Sequence, residues 1–468
     1  MKPNIHNTLT RTKDELIQSG DVFGIYCCGP TVYGPAPIGN FRTFLVQDVL
    51  RRTLECAGYN VKHVRNITDV DDKTIRESQK LGMSLKEFTA KWEDKFHQDC
   101  QKLNMLSPHV EPRATEHINE QLEMVSALVE KGFAYPAKDG SVYFKISAFD
   151  EYGRLAGLDR ENMATQATNS AGEVNNADEY ERESVSDFAL WKGRKAEDGE
   201  NYWKSPWGEG RPGWHIECSA MSRKYLGDTF DLHGGGIDLC FPHHENEIAQ
   251  SQCATGKSPY VRYWFHSAHL MVEGQKMSKS LGNLFTLDQL VEKGYTPAQI
   301  RYALISGHYR QQLNFTFKGL DDAKSALTKM KKALENALSK TNVSADEFKE
   351  FIKIGNKFEN TVFEDAWNAL IDDINVPKAL GKTFSALTNV QTKEDLQAFA
   401  GIAYALGIDL FEKEPKMDVP SEIIDLAQQR WNAKKERNFA LADELRGKIK
   451  EAGWEVFDKK DGFDIKKI

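Results

Sequence analysis

The sequence predicts an α/β protein whose first part is built on a parallel sheet and whose later part is helical. Val22–Tyr26 is a short apolar run that leads into Cys27-Cys28-Gly29-Pro30, which is typical of a buried strand ending in a loop. Residues 41–52 have helical periodicity, and Val61–Ile67 has the composition of a second strand. This order indicates a parallel βαβ unit of a doubly wound, Rossmann-like sheet, with ligands expected at the carboxyl ends of the strands.

Helical patterns occupy much of the remaining chain. Leu85–Leu103 and Ala114–Lys131 have the apolar spacing of amphipathic helices. After about Phe317 an Ala-, Leu- and Lys-rich composition predicts further helices, including Ala379–Leu406. Ser421–Lys450 is predicted to be one strongly charged helix, followed by a short hairpin.

Two other segments are not predicted to be helical along their whole length. Asp159–Ser186 is polar, has few large apolar residues, and is expected to form a loop-like, mobile insertion. Tyr225–Asp238 predicts a strand that continues into a glycine-rich loop, and a helix is expected from His243 onward.

Composition and charge restrict the class of protein. Hydrophobic residues make up 40% and charged residues 28% of the 468 residues, which is ordinary for a globular protein of several domains. The sequence has neither an apolar run of membrane-spanning length nor an apolar segment near its N-terminus, so a cytoplasmic protein with no membrane partner is expected. The net charge of −8 argues against nonspecific nucleic-acid binding, although a local basic face can still bind RNA.

The cysteines are expected to be thiols. Their number, seven, is odd and the chain is long, which leaves metal binding, catalysis or simple burial as their roles. They are Cys27, Cys28, Cys56, Cys100, Cys218, Cys240 and Cys253.

Lys276–Ser280 contains two lysines, Lys276 and Lys279, next to serines. Lysines in such a loop suit phosphate binding, because each supplies a point charge for the negative charge that builds up on a leaving pyrophosphate. A solvated surface loop is the plainer explanation of a lone pentapeptide. The five residues are identical to the KMSKS loop of class I aminoacyl-tRNA synthetases, however, and this resemblance makes both lysines catalytic candidates.

Class I synthetases also carry a HIGH tetrapeptide at the first strand–helix junction, where this sequence has Pro37-Ile38-Gly39-Asn40. Gly39 would allow ATP to approach the backbone, and the free N–H groups of a helix start bind phosphate. Asn40 still offers a hydrogen-bond donor. Pro37 has no side-chain donor and receives no catalytic role: it either shapes the turn alone or leaves its contact to other donors.

We hypothesise that two of the cysteines and two residues at the start of a predicted helix bind a metal ion together. His243 and Glu247 are four residues apart and would share one helical face. Cys28 follows the first predicted strand, and Cys218 lies in a comparably ordered segment. Two thiolates, an imidazole and a carboxylate would form a tetrahedral site, although the spacing does not establish that Cys28 meets Cys218.

Five blocks of the sequence, in order, resemble cysteinyl-tRNA synthetases. They are Cys28–Tyr33, Arg65–Lys73, Gly210–Met221, Phe241–Glu247 and Lys276–Ser280. The resemblance covers the full length, including the helical region and the charged tail. It implies an enzyme that activates L-cysteine with ATP and Mg²⁺, transfers the cysteine to tRNA(Cys), and selects the substrate thiol with one Zn²⁺; a monomer is expected.

The resemblance also implies the site residues, position by position. They are Cys28, Cys218, His243 and Glu247 for zinc, Thr68, Trp214 and His233 for the cysteine pocket, and Gly39, Asn40, Gly236, Asp238 and Lys279 for ATP. Besides Pro37, Ile237 departs from the family, whose members usually carry a small polar residue there.

The expected domains follow from the resemblance and the composition. They are the first half of the catalytic domain (1–115), a connective insertion (116–195), the second catalytic half with the zinc site (196–265), a KMSKS-loop and stem-contact region (266–316), a helical tRNA-binding bundle (317–412) and a C-terminal anticodon-binding module (413–468).

Basic and aromatic residues of the tail are expected to contact the anticodon. They are Arg430, Lys434, Lys435, Arg437, Arg446, Lys448 and Lys450, with Trp431 and Trp454 for base stacking. Interspersed acidic residues would also fit an ordinary solvated helix, so the RNA role depends on the family resemblance.

Two alternatives stand beside the main interpretation. A ligase that joins cysteine to an amino sugar, as in mycothiol synthesis, shares the zinc and lysine motifs but is shorter at its C-terminus. An inactive RNA-binding paralogue is favoured only by Pro37.

Overall fold

A four-stranded parallel sheet forms the centre of the first half of the chain. The structure is a computed structural model that describes residues 2–158, 164–165, 184–185, 187–277, 281–351, 357–412, 419–459 and 462–467. With elements numbered along the chain, the sheet strands are β3 (Phe23–Cys27), β4 (Val61–Arg65), β12 (Phe230–Gly236) and β13 (Val261–Ser267). Their order is β13-β12-β3-β4, and every neighbouring pair is parallel.

Helices pack on this sheet and form the later domains. They are α1 (Ile38–Cys56), α2 (Asp72–Lys80), α3 (Leu85–Lys102), α4 (Ile118–Glu130), α5 (Trp214–Leu226), α6 (His243–Thr255), α7 (Leu287–Glu292), α8 (Pro297–Ile305), α9 (Phe317–Thr341), α10 (Ala345–Phe351), α11 (Glu364–Ile371), α12 (Val376–Ala386), α13 (Lys393–Leu406), α14 (Ser421–Lys435) and α15 (Phe439–Glu451). Among the described residues, none of the helices is long and apolar enough to cross a membrane.

The predicted βαβ unit is confirmed. β3, α1 and β4 follow each other in the chain, and β3 pairs with β4 in parallel. All residues of β3 and β12 are buried, as expected for parallel strands that helices cover on both faces. The carboxyl ends of the strands therefore meet at one edge of the sheet, where a ligand cleft is expected.

A second, antiparallel sheet follows the first catalytic segment. Its strands are β5 (Ala134–Pro136), β6 (Val142–Phe144), β9 (Phe188–Gly193), β10 (Trp203–Ser205) and β11 (Gly208–Pro212), in the order β10-β11-β9-β6-β5. It contains residues from both sides of the boundary expected at 195. Most of the insertion expected at 159–186 lies outside the described residues, apart from two short parallel strands, β7 (Ala164–Thr165) and β8 (Ser184–Val185).

Smaller sheets complete the fold. They are a hairpin of β1 (Asn4–Asn7) and β2 (Thr12–Glu15), a three-stranded sheet of β14 (Leu270–Val272), β15 (Gln275–Lys276) and β16 (Leu313–Phe315), and a C-terminal hairpin of β17 (Trp454–Lys459) and β18 (Gly462–Lys467).

The glycine-rich segment after Leu232 is a strand, and the prediction of a loop there is wrong. Gly234–Gly236 are the last three positions of β12 and pair with Phe265–Ser267 of β13. Glycine is needed in this strand because α6 packs closely against it. A Cβ on Gly235 would lie 2.7 Å from Cε1 of His244, so the α6 helix can approach the strand this closely only over a glycine.

Three predicted helices are interrupted. Residues 114–117 form a 3-10 turn before α4, and Ala379–Leu406 divides between α12 and α13. The predicted single helix Ser421–Lys450 is a pair, α14 and α15, which contact each other closely. The chain reverses at Arg437, whose φ of 60° is left-handed, and the Asn438 side chain caps α15.

A buried ion-pair network joins α1 to the helical domain. Arg301 of α8 donates to Oδ2 of Asp48 at 2.6 Å, and Arg52 donates to the same oxygen at 2.8 Å. Arg301 also donates to the carbonyl oxygen of Leu406, at the end of α13, at 2.9 Å. The Arg301 and Asp48 side chains are 1% and 3% exposed. Burial opposes the charge on Asp48, but the two guanidinium groups outweigh burial and lower the pKa of this carboxyl.

The substitution Arg301→Met is expected to lower the free energy of unfolding by about 3 kcal/mol, because it leaves a buried carboxylate with one partner fewer. The exposed pair of Lys382 and Asp365 provides the control, since Lys382→Met should cause no measurable change. Because folding lowers the pKa of Asp48, its contribution is present above about pH 4 and is lost as the pH falls further. Urea unfolding should therefore show that the difference in free energy of unfolding between wild type and Arg301→Met becomes smaller in acid. An equal difference at pH 7 and pH 3 would contradict this account.

Candidate active site

A cleft of about 650 Å³ opens at the carboxyl ends of the parallel strands. It is lined by residues that follow β3, β4, β12 and β13 and by the first turns of α1, α5 and α6. The residues predicted from the sequence that line it are Cys28, Gly39, Asn40, Thr68, Trp214, Cys218, Gly236, Asp238, His243 and Lys276. Lys279 lies outside the described residues.

The four residues expected to bind a metal come together at the base of this cleft. One ligand atom from each of Cys28, Cys218, His243 and Glu247 lies within 4.8 Å of the others, and all four side chains are buried. The two sulfur atoms are 3.9 Å apart, and Nε2 of His243 is 3.2 Å from Oε1 of Glu247. We call this group the four-ligand cluster.

Three separate elements supply the four-ligand cluster. Cys28 comes directly after β3, where its N–H donates to the carbonyl oxygen of Gly234 on the neighbouring strand at 3.3 Å. Cys218 lies in the second turn of α5. His243 begins α6, and Glu247 follows one turn later on the same helical face. The sequence spacing predicted the shared face of α6, and the fold brings Cys28 and Cys218 to it.

The donor set fits Zn²⁺. Nε2 of His243 is buried and lies 3.2 Å from Oε1 of Glu247, while Nδ1 of the same ring lies 2.8 Å from Nδ1 of His215. This contact leaves Nε2 directed at the sulfur and carboxylate atoms. The hydrogen bond from Cys28 lowers the pKa of Cys218 to about 6, which favours a thiolate. Two sulfurs, one imidazole and one carboxylate form a tetrahedral set of the kind that zinc binds.

A layer of histidines surrounds the four-ligand cluster, and the sequence prediction missed most of it. Nε2 of His244 lies 3.4 Å from the sulfur of Cys28, and its Nδ1 lies 2.7 Å from Nε2 of His266. The only signal in the sequence was the His243-His244 pair, because the residues that complete this layer are distant along the chain.

His233 was expected to line the cysteine pocket, and the structure places it directly against Glu247 of the four-ligand cluster. Its ring is fully buried and does not border the cleft. Nε2 of His233 lies 3.0 Å from Oε2 of Glu247, and the ring stacks on Trp264. Because His233 is in the middle of β12, it supports Glu247 from behind the cleft.

Thr68 and Trp214 border the cleft. The Thr68 hydroxyl donates to Oε2 of Glu217 at 2.9 Å, which fixes its orientation. The Trp214 ring packs against the ring of His243 with centroids 4.3 Å apart. Both side chains therefore border the same end of the cleft as the four-ligand cluster.

The expected nucleotide residues form another part of the cleft lining, which we call the nucleotide end. Gly39 and Asn40 are in the first turn of α1, Gly236 ends β12, and Lys276 is exposed in β15. A Cβ at Gly39 would collide with the methyl group of Met277, so the first turn of α1 and the lysine segment touch because this position is a glycine.

The two departures from the family pattern sit at positions that tolerate them. Pro37 is the N-cap of α1 and contributes no side-chain hydrogen bond, but its carbonyl oxygen accepts from the N–H of Asn40 at 3.0 Å. Ile237 is 40% exposed, so its side chain does not alter the packing of the site.

Comparison with known proteins agrees with this architecture. The family described as "tRNA synthetases class I (C) catalytic domain" matches residues 15–325. A protein of Opitutus terrae named "Cysteine--tRNA ligase" is 50% identical over 470 residues, covering 99% of each chain. A protein of the same name from Brachyspira hyodysenteriae is 42% identical over 477 residues, covering 99% of this chain and 98% of its own.

The chain belongs to the cysteine–tRNA ligase family. Solved structures of other class I synthetases share the fold at low sequence identity. Mycobacterium tuberculosis methionyl-tRNA synthetase, in complex with methionyl-adenylate, has a TM-score of 0.55 at 14% identity and covers 82% of this chain and 88% of its own. The LeuRS of Agrobacterium radiobacter, in a ternary complex with tRNA and LeuAMS, has a TM-score of 0.56 at 12% identity, covering 84% and 85%.

The tail residues that this family resemblance assigned to the anticodon differ in burial, and two of them, Trp431 and Lys434, are half-buried. Arg430 is buried and donates twice to Asp458, at 2.7 and 3.1 Å, and Trp454 is buried in the small core of the C-terminal module. These two residues stabilise the module itself. The exposed basic residues remain candidates for RNA contact: Lys435, Arg437, Arg446, Lys448 and Lys450.

Gly235→Ala is expected to displace α6, because its methyl group would press on the ring of His244. We expect a loss of about 1–3 kcal/mol in the free energy of unfolding, together with weaker metal binding, since His243 and Glu247 move with the helix. Gly381→Ala in α12 is the control, because a Cβ there meets nothing within 4 Å and an alanine suits a helix. Thermal unfolding with and without a chelator measures both the loss of stability and the weaker metal binding. Equal melting temperatures and equal chelator effects in the two variants would refute the role given to Gly235.

Proposed function

We propose that this protein is an active cysteine–tRNA ligase that converts L-cysteine and ATP to cysteinyl-adenylate and pyrophosphate and then transfers the cysteine to the 3′ end of tRNA(Cys). The observation that carries the proposal is that the four-ligand cluster and the glycine and lysine residues of the nucleotide end face one cleft. A site suited to sulfur and a site suited to phosphate therefore border the same volume. The carboxylate of a cysteine and the α-phosphorus of ATP can meet there.

We further propose that Zn²⁺ occupies the four-ligand cluster and that Mg²⁺ accompanies ATP. When bound, zinc offers the substrate a metal–thiolate bond, which serine cannot form. Hydrophobic discrimination between side chains that differ by one small group supplies only about 1–3 kcal/mol, so the metal contact accounts for the choice of cysteine over serine. Thr68 and Trp214 would hold the rest of the substrate at this end.

The chain's own groups support the first step by position and charge. Gly39 and Gly236 let backbone N–H groups approach the nucleotide, and Asn40 and Asp238 border the same volume. Lys276 stands exposed at the rim and would balance the charge that develops on the leaving pyrophosphate. The substrate carboxylate is itself the nucleophile, so activation requires orientation of two substrates and no covalent enzyme intermediate.

A tRNA acceptor is favoured over an amino sugar by the extent of the family match. The relatives cover 99% of this chain, so their similarity includes the helical domain and the C-terminal module. The complete four-ligand cluster and Lys276 favour an active enzyme over an inactive paralogue. We also propose a monomer that acts in the cytoplasm.

The first measurement is ATP–pyrophosphate exchange with purified protein in the absence of tRNA. Cysteine should support exchange and serine should not, because only cysteine offers a thiolate to the metal. A folded, zinc-loaded protein that shows no exchange with cysteine would contradict the proposed function and would favour the inactive paralogue. Aminoacylation of tRNA(Cys), with an amino sugar as the competing acceptor, then distinguishes the two ligases.

Cys28→Ser is expected to lower both zinc content and selectivity, because a serine hydroxyl is a poorer zinc ligand than a thiolate. The ratio of kcat/KM for cysteine to that for serine should fall at least about tenfold, equivalent to about 1.4 kcal/mol. Cys56→Ser is the control, since Cys56 is a free thiol at the end of α1 and does not border the cleft. Atomic absorption and exchange kinetics provide the two readouts. A Cys28→Ser protein that prefers cysteine as strongly as wild type would exclude the zinc as the selecting group.

A further inference from the structure

Arg42 is a buried cation whose hydrogen bonds go to main-chain carbonyl oxygens. Its side chain is in α1, and the residue is 1% exposed. The guanidinium group donates to the carbonyl oxygens of Leu304 at 2.7 Å, Gln311 at 3.0 Å, His308 at 3.1 Å and Ala268 at 3.4 Å. Burial lowers the pKa of Arg42 to about 10, so the group remains charged at neutral pH. Buried arginines are usually paired with carboxylates, so this arrangement requires a separate explanation.

Of the four carbonyl groups that Arg42 holds, one belongs to a cleft residue, Ala268, and another to Gln311, whose neighbour Gln312 borders the cleft. Ala268 directly follows β13 and borders the cleft, as does Gln312, the neighbour of Gln311. The N–H of Ala268 donates to the carbonyl oxygen of Tyr309 at 2.7 Å, which joins these two segments to each other. From Ala268 the chain continues through β14 into β15, which ends at Lys276.

These contacts form a closed series that begins and ends on α1, and we call this series the circuit. Met277, the residue after Lys276, packs against Gly39 in the first turn of the helix. Arg42 is three residues after Gly39 and lies on the same helical side. Beyond the lysine loop, the carbonyl oxygen of Phe285 accepts from the N–H of Ile38 at 2.9 Å, so the following segment is also anchored to this turn.

We infer that Arg42 is a positioning residue that fixes the lysine-bearing segment against the first turn of α1 and thereby sets the geometry of the ATP end of the cleft. The inference rests on the proposed function, because it assumes that ATP binds between these two elements. The cysteine end is built from the residues after β3 and from α5 and α6, and the hydrogen bonds of Arg42 reach none of these. A change at Arg42 should therefore act on ATP and leave cysteine binding largely alone.

Arg42→Lys tests this separation. A lysine keeps the positive charge but has three donors on a flexible stem, so it cannot reproduce the planar fork that reaches several carbonyl groups. We expect kcat for ATP–pyrophosphate exchange to fall about 10- to 100-fold, which is the effect of misplacing a reacting group by about 1 Å. The KM for ATP should rise, whereas the KM for cysteine should stay within about twofold of wild type.

Arg52→Lys is the matched control. Arg52 is a buried arginine of the same helix and donates to Asp48 and to the carbonyl oxygens of Asn104 and Tyr404, away from the cleft. It should lower the melting temperature in the same way as Arg42→Lys and leave both KM values unchanged. A simple packing role for Arg42 would make the two variants kinetically alike, and this result would overturn the inference.

Met277→Ala tests the circuit at its other contact. Met277 is partly exposed, so its truncation does not threaten the fold, and it carries the test if Arg42→Lys fails to fold. We again expect the KM for ATP to rise and the KM for cysteine to stay the same, with a smaller loss of kcat than in Arg42→Lys. Values of KM for ATP and cysteine that rise together in either variant would refute the inference. Absence of exchange in the wild type would instead refute the proposed function.

Discussion

The active site depends on one buried carboxylate, that of Glu247. The side chain is fully buried, and a lone carboxylate in such a place would cost several kcal/mol. Four groups surround it: the imidazoles of His233 and His243 at 3.0 and 3.2 Å, the hydroxyl of Tyr260 at 3.1 Å and the sulfur of Cys28 at 3.7 Å. Burial opposes the charge, but the two histidines outweigh burial and lower the pKa of Glu247 to about 2. Since these groups come from β12, α6, the residue before β13 and the end of β3, stabilising Glu247 requires the sheet to bring all of them together.

The same requirement extends into a second layer. His244 faces the sulfur of Cys28 and is in turn held by His266, whose Nδ1 lies 2.7 Å from the hydroxyl of Thr8. Burial and the neighbouring imidazoles lower the pKa of His244, so this ring is neutral and presents one donor and one acceptor nitrogen. The layer therefore links the N-terminal segment, beside β1, to the base of the cleft. A neutral imidazole chain can orient the thiol without adding a second buried charge next to Glu247.

The sequence allowed prediction of those features that depend on residues close to each other in the chain. The βαβ unit and the shared face of His243 and Glu247 follow from periodicity, and the four-ligand cluster followed from resemblance over long blocks. Contacts between distant segments had no local signal, so the place of His233 behind Glu247 was not predicted. The glycine triplet was misjudged for a related reason: glycine favours turns locally, but here tertiary packing under His244 requires it within a strand. The tail was predicted as one helix because the charge pattern continues across Arg437, and Asn438 was not recognised as the N-cap of a second helix.

The two ends of the cleft are held by different means, and the main-chain contacts at the nucleotide end are compatible with a proline at position 37. At the cysteine end, the geometry depends on side chains buried around Glu247, and loss of one of them leaves a polar group without its partner. At the nucleotide end, the geometry depends on main-chain contacts. The carbonyl oxygen of Pro37 accepts from the N–H groups of Asn40 and Phe41, and Pro37 itself bridges to Thr286 beyond the lysine loop. A proline can make all of these contacts, because none of them requires its side chain or its missing N–H. Loss of the histidine thus removes one hydrogen-bond donor but leaves the helix N-terminus and the lysine segment in register, which is the arrangement that phosphate binding requires.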